Sequence, residues 1–70
     1  MPKFNDRLKE LRKNKSMTQK QMAILLGITE RHFQRYEAGE IYLSTDMTIR
    51  LSDFFEVSAD YLLGRVDNKK

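Results

Sequence analysis

The side chains best suited to chemistry crowd into one short stretch, Thr29-Glu30-Arg31-His32-Phe33-Gln34-Arg35. Arginine can fork onto guanine O6 and N7, glutamine pairs with adenine N6 and N7, and a carboxylate accepts from cytosine N4. Arg31 and Arg35 stand four residues apart, so on a helix they share one face with Gln34 beside them. On a wheel of about 100° per residue, Thr29, Phe33 and Tyr36 fall in one narrow arc opposite Arg31, which makes that arc the expected buried side. The free face is then Arg31, Gln34 and Arg35, with Glu30 and His32 at the N-terminal tip and Glu37 on a flank. Glu30 could complement the helix dipole, exclude wrong base sequences or accept from cytosine. His32 could make a polar contact to nucleic acid or be a plain exposed residue.

Competing chemistries lack their residues. The chain has no cysteine and one histidine, which leaves no thiolate nucleophile and no second soft ligand, so no metal is expected. Asp46, Asp53 and Glu56 sit near helix ends or on exposed faces where acids are ordinary, and no glycine-rich phosphate loop is present. Neither an enzyme nor a cofactor nor a small-molecule substrate is expected. The longest apolar run, Met22 to Leu26, falls far short of the ~20 residues that span a bilayer and is too short for a signal peptide. The basic residues share no helix with a broad apolar face, so membrane binding is not expected and a cytoplasmic, unexported protein is.

Seventy residues and 8.3 kDa allow one domain with one core. The net charge of +3 is unevenly spread: residues 1–35 carry nine Lys/Arg against three acids, and residues 36–70 carry four against seven. A basic half of +6 beside an acidic half of −3 points to one face aimed at a polyanion.

The elements that must position these residues are helical. Glycines at 27, 39 and 64 each follow an apolar-periodic stretch, where a left-handed C-terminal residue belongs, and no strand-length alternation or repeat appears. Phe4, Leu8 and Leu11 predict a first helix over about 4–13. Thr18-Gln19-Lys20-Gln21 is a capping box starting a second helix at Gln19, which carries Met22, Ala23, Leu25 and Leu26 and stops at Gly27. Thr29 caps a third helix over 30–38 that Gly39 ends. A fourth runs over 45–55, capped by Ser44 or Thr45, with Ile49, Leu51, Phe54 and Phe55 supplying apolar contacts. Ser58 caps a short fifth, and residues 66–70 form a polar, frayed tail to a domain spanning 1–65. Helices two and three, joined through Gly27 and Ile28, read as a helix-turn-helix.

Taken together, Leu11-Arg12, Met17-Thr18-Gln19-Lys20-Gln21-Met22-Ala23, Leu26-Gly27-Ile28-Thr29, Phe33, Tyr36-Glu37-Ala38-Gly39 and Val57-Ser58-Ala59-Asp60-Tyr61-Leu62-Leu63-Gly64 resemble the Cro/C1-type (Xre family) helix-turn-helix DNA-binding domains over about residues 4–65. The resemblance implies a compact all-α, five-helix lambda-repressor-like domain of bacterial or phage transcription regulators, usually repressors. Such domains bind a palindromic double-stranded DNA operator as a homodimer, with helix three in the major groove. It implies base reading by Glu30, Arg31 and Arg35 with His32 and Gln34 beside them. Phosphate contacts are implied at Gln19, with Lys20 and Thr29 near, and a structural ion pair at Arg12 and Glu37.

The loop after helix three departs from the family pattern. Where cations and a proline are usual, this chain has Glu40, Ile41, Tyr42 and Leu43. Those three apolar residues either tuck over the core or contact a second subunit or a protein partner, the latter being the basis of an alternative reading as an antitoxin- or adaptor-type interaction module. Lys13, Lys15 and Lys20 are the available substitutes for backbone charge.

Overall fold

Apolar side chains recurring at helical spacing, each run closed by a residue that tolerates the left-handed region, give five helices in a computed structural model that describes residues 3–69. Met1, Pro2 and Lys70 lie outside the described residues. The helices are α1 (Phe4–Asn14), α2 (Gln19–Leu26), α3 (Glu30–Glu37), α4 (Thr45–Phe55) and α5 (Ala59–Leu62). Their starts match the expected caps. Thr18 and Gln21 form the complete reciprocal capping box, and Thr29, Ser44 and Ser58 each accept from the backbone amide three residues on.

The ends share one device. In all five helices an amide bonds to the carbonyl five residues back, as Met17 to Arg12, Ile28 to Ala23, Glu40 to Arg35, Val57 to Ser52 and Arg65 to Asp60. The residue before each of those amides has positive φ: Ser16, Gly27, Gly39, Glu56 and Gly64. With each of those positive-φ residues also donating to the carbonyl three residues back, this double closure satisfies the last carbonyls and turns the chain sharply, which lets 70 residues hold five helices.

Each helix contributes one fully buried side chain to the centre: Leu8, Met22, Phe33, Leu51 and Leu62. The Cα radius of gyration, 10.9 Å, is the ~11 Å of a compact chain of this length. The inward face of α4 is Met47, Thr48, Leu51, Ser52 and Phe55, while Ile49 points to solvent and Phe54 is half-buried. Two of those inward residues are hydroxylic and satisfied locally, Thr48 on the Ser44 carbonyl at 2.8 Å and Ser52 on the Ile49 carbonyl at 3.0 Å. Small polar residues therefore occupy the core side without an unpaired group. In α2, Ile24 and Leu25 are exposed.

Residues 65–69, the described part of the expected tail, are tied back to the body rather than frayed. Arg7, buried on α1, places its guanidinium 3.9 Å from the Tyr61 ring centroid and bonds Asp67 at 3.0 Å. The Ser58 amide donates to the Lys69 carbonyl at 2.6 Å.

Candidate nucleic-acid interface

Because α3 is only eight residues long, its position depends on what anchors it. The Thr29 hydroxyl accepts from the His32 amide at 3.0 Å, holding the N-terminus just after the Gly27 turn. Phe33 is fully buried and Tyr36 nearly so, fixing the helix against α2 and α1. Thr29 itself is exposed, since a capping residue lies outside the helical register, and Glu37 takes its place on the buried side.

Glu30, Arg31, His32, Gln34 and Arg35 are all exposed. Arg31, Gln34 and Arg35 line one shallow groove of about 250 Å³ together with Ala38 and Glu40. Within it the polar groups are loosely paired. The Gln34 amide donates to Glu30 at 3.5 Å, and Arg35 Nε stands 3.4 Å from Glu40 Oε1. Arg31 has no ion pair among the described residues. His32 is set apart from the groove, its Nε2 3.1 Å from the Tyr36 hydroxyl and the two rings 4.9 Å between centroids.

Beneath this face lies a second polar group. Arg12 meets Glu37 through two donors, Nε to Oε2 at 2.7 Å and Nη2 to Oε1 at 3.1 Å, and its third nitrogen donates to the Met17 carbonyl at 2.8 Å. Gln19 Nε2 donates to Glu37 Oε1 at 3.0 Å. No buried side-chain polar atom among the described residues is left without a partner. The network fastens α1, α2 and the C-terminal turn of α3 to one carboxylate. It also places Gln19, half-buried at the start of α2, against α3. A primary amide has two N–H donors, so one remains for an outside acceptor. Lys20 is exposed.

The apolar loop divides. Ile41 and Leu43 pack against the core, and Tyr42 alone is strongly exposed, its ring 5.8 Å from that of Phe4. Two contributors escaped the reading from residues. Arg7 lies on the same stripe as Leu8 and Leu11, and that placement was its only signal. Glu40 was signalled by Gly39, because a left-handed closure brings the next residue back over the last turn. Among the described residues no group of three His, Asp or Glu could hold a metal ion.

A helix-turn-helix domain family model matches residues 5–68. The uncharacterized HTH-type transcriptional regulator YqaE of Bacillus subtilis (strain 168) is 40% identical over 67 residues, 96% of this chain and 58% of that protein. The cryptic phage CTXphi transcriptional repressor RstR of Vibrio cholerae is 36% identical over 63 residues, 90% of this chain and 56% of that protein. A crystal structure of a transcriptional regulator from Listeria innocua superposes with a TM-score of 0.86 at 33% identity, covering 91% of this chain and 60% of the other. The chain thus spans a little over half the length of the curated relatives it matches.

Proposed function

Since this chain belongs to the Cro/C1-type helix-turn-helix regulators, we propose that it is a sequence-specific DNA-binding transcriptional repressor, not an enzyme, that acts on double-stranded operator DNA in the cytoplasm. The observation that carries this reading is the outward face of α3, where Arg31, Gln34 and Arg35 share one open groove on a helix anchored by Thr29, Phe33 and Tyr36. An α-helix fits the major groove, and these side-chain types match guanine and adenine edges. Glu30, 3.5 Å from the Gln34 amide, discriminates by accepting from cytosine or repelling wrong acceptors, and His32 contacts bases or sugar-phosphate at the side.

Phosphates set the register. The second N–H of Gln19, Lys20 and the exposed Thr29 at the start of α3 serve that role, aided by the positive ends of the two helices. Two copies bind a palindrome with recognition helices about 34 to 36 Å apart, one turn of DNA. Repression follows from occupying the operator, in keeping with the phage repressor among the relatives. The reading as a protein-interaction module rests on Ile41, Tyr42 and Leu43, and two of these three are engaged with the core.

Selection of random double-stranded DNA by the purified protein at about 150 mM salt tests the proposal. The expected result is a palindromic motif with half-site centres about 10 base pairs apart, bound with a log-log salt slope near −0.9 per neutralised phosphate. Absence of any motif, with residual binding lost at modest salt, would overturn it.

A further inference from the structure

We propose that Glu40 is a positioning residue for base reading, holding the Arg35 guanidinium so that its Nη1–Nη2 edge faces the DNA. The proposal rests on the DNA-binding reading above and adds to it a residue outside the recognition helix.

Two independent features place Glu40 there. Gly39 adopts φ +74°, its amide donates to the Tyr36 carbonyl at 3.1 Å, and the Glu40 amide donates to the Arg35 carbonyl at 3.0 Å. That closure folds the backbone of residue 40 back over residue 35 whatever its side chain. The side chain then completes the contact, Oε1 lying 3.4 Å from Arg35 Nε. In helices closed this way an apolar contact commonly fills the same position, and at the end of α2 the residue there is Ile28, packed against the core. Here the pair is charged and opens on the groove that Arg31 and Gln34 also line.

The atom engaged matters. A guanine fork needs two parallel N–H donors, and a carboxylate on Nε leaves both terminal nitrogens free while restricting the guanidinium plane. Arg31, four residues earlier on the same face, has no such partner among the described residues. One arginine of the groove is therefore pre-oriented and the other adaptable, and the carboxylate in the loop, which looks unfavourable beside phosphates, has a selective use.

The test compares base preferences of the full chain, Glu40→Gln, Arg35→Ala and the double variant on a systematic set of single-base operator variants. Arg35→Ala identifies the base pair that Arg35 reads. The expected result is that Glu40→Gln lowers the guanine preference at that pair by about two- to fivefold, the size an exposed ion pair can supply. Preferences elsewhere stay unchanged, and the substitution has no further effect on preference in the Arg35→Ala background. A uniform gain in affinity across all sequences, with every preference intact, would overturn the proposal and make Glu40 a simple repeller of phosphate. A wild-type chain that selects no motif overturns the DNA-binding reading and this proposal with it. Melting curves of each variant confirm that the exposed substitutions leave the fold in place.

Discussion

The two sides of α3 use the same three residue types to opposite ends. On the inner side, Arg12, Glu37 and Gln19 meet at 2.7 to 3.1 Å, with only 11% of the Arg12 side chain and 2% of the Glu37 side chain exposed. On the outer side, Arg35, Glu40, Gln34 and Glu30 pair at 3.4 to 3.5 Å, with Arg35 and Glu40 about half exposed or more. Residue identity does not separate the two groups; burial and the number of bonds per group do. A buried charge must keep its partners, because leaving it unpaired costs several kcal/mol, whereas an exposed pair contributes about 0 to 1 kcal/mol, enough to bias a side chain's orientation but not to fix the fold. The inner group thus fixes the helix, and the outer group remains available to a ligand.

The largest expected effect breaks the inner group. Arg12→Ala leaves the Glu37 carboxylate buried with one amide donor, and a loss of about 3 to 5 kcal/mol follows. A 70-residue domain has roughly 4 to 10 kcal/mol in all, so thermal and urea melts should show a protein barely folded or unfolded at 37 °C. A melt unchanged within about 0.5 kcal/mol would show that the two sides of α3 do not differ in kind.

The outer group should give the reverse pattern. Arg31→Ala or Arg35→Ala should each cost about 1 to 3 kcal/mol of binding at the selected site and relax preference at one base pair, with stability held within about 0.5 kcal/mol. Titrations on selected and random DNA check this. Equal losses on both would remove base reading from the outer face while leaving it as a phosphate surface.

Much of this arrangement is legible in the residues. The caps at Thr18, Thr29, Ser44 and Ser58, the glycine closures and the outward arc of α3 follow from local hydrogen-bonding and periodicity, and the structure reproduces them. What the wheel alone misplaces is polar residues in the core. Glu37 reads as a flank, and Arg7, although beside Leu8 and Leu11 on the wheel, gives no core signal, because a periodicity argument treats charge as outward. Only their partners, 25 and 60 residues away in sequence, make burial affordable. The pairing of Arg12 with Glu37 came from family resemblance, not from spacing. Ile49 errs the other way: an isoleucine on α4 reads as core, yet Thr48 and Ser52 bond to nearby carbonyls and take the inward face. The groove's carboxylate, Glu40, belongs to a loop, where side-chain direction is set by the Gly39 closure and not by helical period.

Two adjacent residues at the start of α2 divide between the inner and outer groups. Gln19 reaches inward to Glu37 at 3.0 Å, and Lys20 is exposed beside it. Gln19→Ala removes a hydrogen bond to a buried carboxylate that keeps its arginine, so stability should fall by about 1.5 to 3 kcal/mol, less than for Arg12→Ala. DNA affinity should fall as well through the lost phosphate donor. Lys20→Ala should leave the melt unchanged and weaken selected and random DNA alike, reducing the salt slope by about 1. Measured together, the two variants separate a phosphate contact that is also a strut from one that is charge alone. If Gln19→Ala altered neither the melt nor DNA affinity, the inner network would end at the Arg12–Glu37 pair, and Gln19 would be neither strut nor phosphate contact.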